Sequence, residues 1–466
     1  MVRGGDRFLN VLGSKTDMTI LPVKHPLVGA KRRQGGSEAR AGLTTVSPTL
    51  GASGKSDFGV SLGIDAKYKH TAQKVDPETG EILGIPDLMA GRIQRFILQS
   101  VVRKLLPKSR TNNCLRVRAS HKPVWSRDVI PQTIKVWQSK EHKTVFFSGL
   151  QTCGSVWQCP VCAAKIAERR RVEVLAAMTA WKAQGGCVNM LTLTCPHQRG
   201  DDLVVLLARQ AKALNNFWKD RQVKAVLLEM GNIGQIKATE TTNGRLSTYN
   251  NGWHPHYHVL MFSGSGVDLS RFDTSQMTDW QVRLYLRWAN ACKLAELGEP
   301  SYAHGLKLDN GEKAAQYVTK WGLEDEITKG HTKKAINGET PFDLLRALAL
   351  DDTDRQAAAL FIEFANAFKG KRQLHWSKGL KSRFAVQDKT DDELVQEKDD
   401  YAVALGAITI EQWRDVLAVE GRGAVALAAV HGGWPAVSSY LFLIKGKGVK
   451  NESRVLRRQE TSHGGG

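Results

Sequence analysis

The chain has 466 residues, 42% of them hydrophobic, enough length for roughly three ordinary domains and enough apolar material for at least one large core, which excludes a mainly disordered chain. Sixty-six Lys and Arg against 46 Asp and Glu leave a formal charge of +20, a field that attracts polyanions and makes nucleic acid the leading partner class. The opening Met1-Val2-Arg3-Gly4-Gly5-Asp6 carries no export signal and no run is long enough to cross a bilayer, so a soluble cytoplasmic protein with no membrane partner is expected. Seven cysteines in such a chain favour metal binding over a disulfide framework.

Residues 1–110 read as a basic N-terminal arm, partly disordered, with one helix from Leu88 to Leu106. A cysteine-rich segment with a basic helix, Ala164 to Ala183, fills 111–186. The apolar, β-branched run Val188 to Thr194 predicts a buried strand, followed by a helix from Asp202 to about Arg221 and strands near Ile233–Thr241 and His254–Phe262. Thr242-Asn243-Gly244 and Asn250-Asn251-Gly252 punctuate as turns and make those last two strands antiparallel neighbours. Helices follow at Met277–Leu297 and Lys313–Glu326, and another opens at Thr340-Pro341-Phe342-Asp343 with a cap residue and a proline in the first turn. The order predicts an α+β fold, a central antiparallel sheet flanked by helices, over 187–387. An acidic stretch near 388–400 opens a helical C-terminal region with a basic tail, 388–466, in which Thr409-Ile410-Glu411-Gln412 resembles a capping box.

Two clusters of side chains stand out for chemistry. A period of two puts His254, His256 and His258 on one face of their strand, where two imidazoles can share an ion. Pro255 can turn His254 aside, which favours His256 and His258. Glu240, on the preceding strand, is the natural carboxylate to complete the site, leaving open positions for a phosphate oxygen on a harder ion. On the helix Glu312 to Glu324, spacing gathers Tyr317, Lys320, Trp321 and Glu324 on one side. A phenol with a pKa of about 10 is a poor nucleophile unless an ammonium or a metal-bound phosphate eases its ionisation.

The run Cys153 to Cys162 supplies Cys153 and the pair Cys159/Cys162, thiolates spaced to converge on tetrahedral zinc, with Cys114 the first choice for the fourth ligand and Cys195 or His197 the second. Lys165, Arg169, Arg170 and Arg171 give the next helix a basic face fit to touch phosphates. Lys369-Gly370-Lys371-Arg372 and Trp376, Lys378, Lys381 and Arg383 make a second basic, DNA-facing stretch. Trp157, Trp253, Trp321 and Trp376 can stack on unpaired bases, although core packing is the commoner fate of tryptophan.

Leu191-Thr192-Leu193-Thr194, His256-Tyr257-His258 and Tyr317-Val318-Thr319-Lys320 fall in the order of, and resemble, the three motifs of HUH endonucleases. With the cysteine segment before them and His375-Trp376-Ser377-Lys378-Gly379-Leu380-Lys381 after, the chain is similar to the rolling-circle plasmid replication initiators, the Rep proteins with a single catalytic tyrosine, over roughly 114–384. That resemblance implies a nickase of the double-strand origin, acting on single-stranded or hairpin DNA. His256 and His258 would hold Mg or Mn, and Tyr317 would attack the scissile phosphate to leave a 5′-phosphotyrosyl link and a 3′-OH primer. A host helicase, polymerase and single-strand binding protein are implied as partners. Some relatives use a Glu one turn before the tyrosine to activate water; here that position is Lys313, and Glu324 and Glu326 are the substitutes. No GxxxxGK[ST] run supports intrinsic unwinding. The same chemistry serves transposases and relaxases, and a zinc-stabilised DNA-binding regulator without catalysis is the alternative from another class; only the nickase needs Tyr317.

Overall fold

Helix α1 (Asp87–Leu105) is the first element of the computed structural model, which describes residues 87–119, 133–140, 144–267, 278–319, 338–396 and 402–448, all within the unit Phe58–Gly466. It matches the predicted helix to within a residue at each end; the rest of the expected basic arm, 1–86, lies outside the described residues. Strands β1 (Thr133–Ser139) and β2 (Val145–Ser148) follow in the segment read for its cysteines. Neither was expected, because each carries only two buried apolar side chains, Ile134 and Val136 or Val145 and Phe147. Helix α2 (Pro160–Ala183) starts four residues before the predicted Ala164: Pro160 fits its first turn, where the missing N–H costs nothing.

Strand β3 (Cys187–Thr194) is followed by α3 (Leu203–Lys219), the helix expected to end near Arg221, and by α4 (Arg221–Glu229), which was not expected. Asp220 separates them, since its extended backbone ends α3 while its carboxylate accepts the Gln222 and Val223 N–H groups that open α4. Strands β4 (Gly234–Asn243) and β5 (Trp253–Ser263) form the predicted hairpin, with Glu240 directly opposite His256. Then come α5 (Asp279–Leu294), β6 (Leu306–Asp309) and α6 (Gly311–Thr319). Helix α7 (Pro341–Leu350) carries the predicted cap as a full capping box of Thr340 and Asp343. Next are α8 (Arg355–Ala367), β7 (Leu374–Trp376), α9 (Leu380–Arg383) and α10 (Asp391–Gln396). The chain returns as β8 (Ala402–Thr409), α11 (Ile410–Ala418) and α12 (Arg422–Leu443). The C-terminal region is therefore not wholly helical. Strand β8 pairs antiparallel with β1 from Thr133↔Thr409 to Ser139↔Ala402, a long-range pairing that overrides local pattern.

The architecture is mixed α+β, with two antiparallel sheets flanked by helices. The larger has strand order β6-β3-β5-β4-β7. On one face, Leu191, Leu193, Tyr257, Val259 and Met261 pack on α3, α4, α5, α7 and α8. On the other, Val188, Met190, Ile236, Leu260 and Phe262 pack on α2 and α6. The smaller sheet, β2-β1-β8, closes a separate core with α1, α11 and α12. Among the described residues no helix is long and apolar enough to cross a membrane.

Candidate active site and metal centres

The second face of the large sheet changes character along its length. Strand β5 points Phe262 and Leu260 into the apolar core and then, by the same alternation, His258 and His256; β3 runs from Val188 and Met190 to Thr192 and Thr194, and β4 from Ile236 to Glu240. Ladder pairs Thr192↔His258 and Glu240↔His256 hold the three strands in register around the polar end. Helix α6 lies across this face, burying Ala314 and Val318, and Tyr317 beside them reaches the polar end.

There the Tyr317 hydroxyl donates a hydrogen bond to Glu240 Oε1, and its ring lies 4.3 Å from that of His258, centroid to centroid. Glu240 Oε2 is 3.4 Å from His256 Nε2 and 3.6 Å from His258 Nε2. Glu240, His256 and His258 each present a ligand atom within 4.8 Å of the others, a group able to hold a metal ion. Its hydrogen bonding fits that use. His256 Nδ1 lies 3.2 Å from the His254 carbonyl, which can only accept, so the ring proton sits on Nδ1 and Nε2 offers its lone pair to the site. His258 Nδ1 lies 3.0 Å from Thr192 Oγ1, leaving its Nε2 likewise free to face Glu240.

Electrostatics point the same way. Burial, against the opposing pull of Glu240, pushes the His258 pKa down to about 4, so the imidazole is a neutral donor at physiological pH. Burial raises the Glu240 carboxyl, but its interactions with His256, His258 and the Tyr317 hydroxyl outweigh it and hold the group below its ordinary value, as a carboxylate.

His254 stays outside this group. The strand is not bent at Pro255, since the ladder continues through Thr242↔His254 to Asn243↔Trp253. Instead His254 Nδ1 meets His197 Nε2 at 2.5 Å, and His197 Nδ1 lies 3.0 Å from the Asn251 carbonyl. Burial, reinforced by His256 and His197, drives the His254 pKa to about 3. Lys320, Glu324 and Glu326, and Trp321 with them, lie outside the described residues.

The second group is Cys114, Cys153, Cys159 and Cys162, all buried, with every Sγ within 4.8 Å of the others. Cys114 is the fourth member. Cys195 sits in the large core with its thiol pushed up to about 12 by burial, and His197 is taken by His254. Sγ separations of 3.5 Å (Cys114–Cys162), 3.6 Å (Cys153–Cys162) and 3.7 Å (Cys114–Cys159) match the edge of about 3.8 Å that a tetrahedron with bonds of about 2.3 Å requires. Cys159 is the N-cap residue of α2 and Cys162 sits on its first turn, and Gly154 at φ +59 turns the loop after Cys153 so closely that a Cβ there would strike Asp392. Thr111 Oγ1, 3.7 Å from Cys153 Sγ, and Gln99 Nε2, 3.2 Å from Cys159 Sγ, support the group from outside.

The basic helix is turned inward. Lys165 donates to the Val395 carbonyl, and Arg170 reaches Glu173, Asp391 and the Lys389 carbonyl, so both fasten α2 to the segment around α10; Arg169 is half-buried beside them. Lys378 is exposed, whereas Lys381 lies 5.7 Å over the half-buried Trp376 ring and pairs with Asp388. Trp157 packs against Phe364 and Phe368, and Trp253 is buried with its indole N–H on Glu363.

An α+β protein with antiparallel sheets, a Glu/His/His group beside a tyrosine and a buried tetrad of cysteines is thus defined by the described residues. The family model described as "Replication protein" matches residues 146–415, more than half of the chain, and the protein belongs to that family. The chain is similar to "Protein rep" of Streptomyces lividans, 27% identical with 58% of this chain and 73% of the relative covered. It is also similar, over 29% of its length and 38% of the relative's, to the "Neomycin resistance protein" of Streptomyces cyanogenus, at 28% identity. No solved structure matches.

Proposed function

We propose that the protein initiates rolling-circle replication of a plasmid as a tyrosine nickase of the HUH type, with the Glu240/His256/His258 group and Tyr317 as its active site. The hydrogen bond from the Tyr317 hydroxyl to Glu240 is the observation that carries this reading: it joins a phenol to a metal-competent group from a segment far along the chain. Membership of the replication-protein family and the similarity to a Streptomyces Rep protein support the biological setting.

In the proposed reaction the Tyr317 oxygen attacks the scissile phosphorus, the new O–P bond replaces the bond to the 3′-oxygen, and that oxygen leaves as the primer hydroxyl. The phosphodiester energy is kept in the phosphotyrosyl link, so the strand can be rejoined without a nucleotide cofactor. Glu240 accepts the phenol hydrogen bond and orients the nucleophile. It cannot ionise Tyr317 unaided, because an ordinary phenol is a far weaker acid than a carboxyl and Glu240 is held lower still. A divalent ion, Mg or Mn, held by Glu240, His256 and His258 would supply the missing positive charge as a Lewis acid for the phosphate. Thr192 and the His254 carbonyl keep both imidazoles aimed at the site. Lys320, Glu324 and Glu326 belong to the same proposal, Lys320 as a cation beside the phosphate and the two carboxylates as activators of water at the end of the cycle. To the cysteine tetrad we assign zinc, on the tetrahedral sulfur spacing.

The test is incubation of purified protein and Mn with single-stranded origin DNA, followed by boiling in detergent. Wild type is expected to retain a covalent adduct that Tyr317→Phe lacks. Absence of an adduct across candidate origins would favour a DNA-binding regulator instead.

A further inference from the structure

Behind the cysteine group lies a charge imbalance that the proposed reaction does not use. Arg422, at the start of α12, is 1% exposed, and Arg116 is 9% exposed. Both, with the half-buried Arg103, converge on the single carboxylate of Glu420, itself 7% exposed: Arg116 at 2.7 Å, Arg103 at 2.9 Å and Arg422 at 3.5 Å. The remaining contacts of these guanidinium groups are neutral. Arg422 Nη1 donates to Gln99 Oε1 and Nη2 reaches Ser100 Oγ, Arg103 Nε donates to Asn112 Oδ1, and the Arg422 guanidinium lies 4.9 Å over the Phe96 ring. Three cations on one anion leave two positive charges in excess in a largely buried cluster, where unpaired charge is costly.

The excess has a neighbour of opposite sign. Gln99 accepts the Arg422 N–H hydrogen bond on its oxygen and donates its own amide N–H to Cys159 Sγ, 3.2 Å away, so the guanidinium and the thiolate site are two hydrogen bonds apart. The polarity is fixed, because an amide whose oxygen is held by a cation must present its N–H to the sulfur. Four thiolates around one divalent ion carry a net charge of −2; four thiols carry none.

We infer that Arg103, Arg116 and Arg422, sharing Glu420 and relayed through Gln99, are the built-in counter-charge of a metal-loaded tetrathiolate at Cys114, Cys153, Cys159 and Cys162. They are positioning residues for that ion, and they tie the C-terminal α12 to the cysteine segment through charge as well as packing. This rests on the zinc assignment above. The match is of sign and size, two positive charges in excess against two negative, and it holds only when the ion is present. Loss of the ion leaves the arginines uncompensated, so it loosens α12 as well as the cysteine loop.

The experiment measures zinc transfer from the purified full-length protein to a chromophoric chelator, with circular dichroism to confirm folding and hydrogen exchange over α12. Wild type is expected to hold one zinc. Arg422→Met and Arg103→Met are expected to release it about tenfold faster or more, in line with the usual effect of outer-shell changes. Arg422→Lys should recover most of the loss by restoring the charge. Glu420→Gln breaks the same ion pairs but increases the positive excess, and is expected to release zinc no faster than wild type. A purely structural role would make Glu420→Gln and Arg422→Met alike. Equal acceleration in the two, or unchanged release in both methionine variants, overturns the inference while leaving the zinc assignment intact. A folded wild type without zinc overturns the assignment itself.

Discussion

Thr192 shows how much a single hydroxyl can decide. It carries no charge, yet its Oγ1 lies 3.0 Å from His258 Nδ1 and fixes the direction of Nε2. Thr192→Val keeps the shape and removes the partner, so Mn affinity at the Glu240/His256/His258 group is expected to fall roughly 10- to 100-fold while the melting temperature hardly moves. Isothermal titration of Mn checks this, and unchanged affinity would remove Thr192 from the site. At this scale the histidine pair was legible because a strand repeats every two residues, and Glu240 because a hairpin returns on itself. Thr192 was legible as part of a β-branched run and of the first resembling motif, but its role needs the register Thr192↔His258, which sequence pattern does not give. The same limit hid the pairing of His254 with His197 and the inward turn of Lys165 and Arg170.

Elements with a plain apolar pattern of their own, such as α1, β3, the β4–β5 hairpin and α5, fall close to their expected positions, whereas the strands β1, β2, β6, β7 and β8 exist through their partners. The hairpin end that carries the site residues is fastened by Arg245, 5% exposed, which binds Glu339 and Asp354, the N-cap of α8. Arg245→Ala strands the buried Glu339 carboxylate and is expected to cost about 3–5 kcal/mol in urea denaturation. The pH dependence has a definite sign. Burial raises the Asp354 carboxyl, but the Ala357 N–H and Arg245 outweigh it and hold the folded pKa below its ordinary value. Its contribution is therefore present above about pH 4 and lost as pH falls further, and the acid limb of stability should be steeper in wild type than in Arg245→Ala. Helix α12 is kinked at Gly433, φ 60 and ψ −151, a conformation nearly reserved for glycine. Gly433→Ala is expected to cost about 1–3 kcal/mol in the same assay, against a negligible effect if the kink straightens without penalty.

Over the whole molecule the charge of +20 predicts DNA binding dominated by counterion release. With about six phosphate contacts, affinity for single-stranded DNA is expected to drop by roughly 300-fold between roughly 50 and 200 mM salt. Lys378, exposed beside Trp376, should account for about one unit of the logarithmic salt slope and lose it on substitution by Ala. Arg170, committed to Glu173 and Asp391, should leave the slope unchanged when substituted, and the reverse result would relocate the DNA path to α2.

The central claim, that Tyr317 is the group that takes the DNA strand, is tested most directly by mapping the link. After reaction with origin DNA, nuclease trimming and trypsin digestion, the peptide Ala314–Lys320 is expected to carry the residual nucleotide mass on Tyr317. Nucleotide found on another residue, or an unmodified Ala314–Lys320 peptide from protein that has nicked its DNA, would contradict the account.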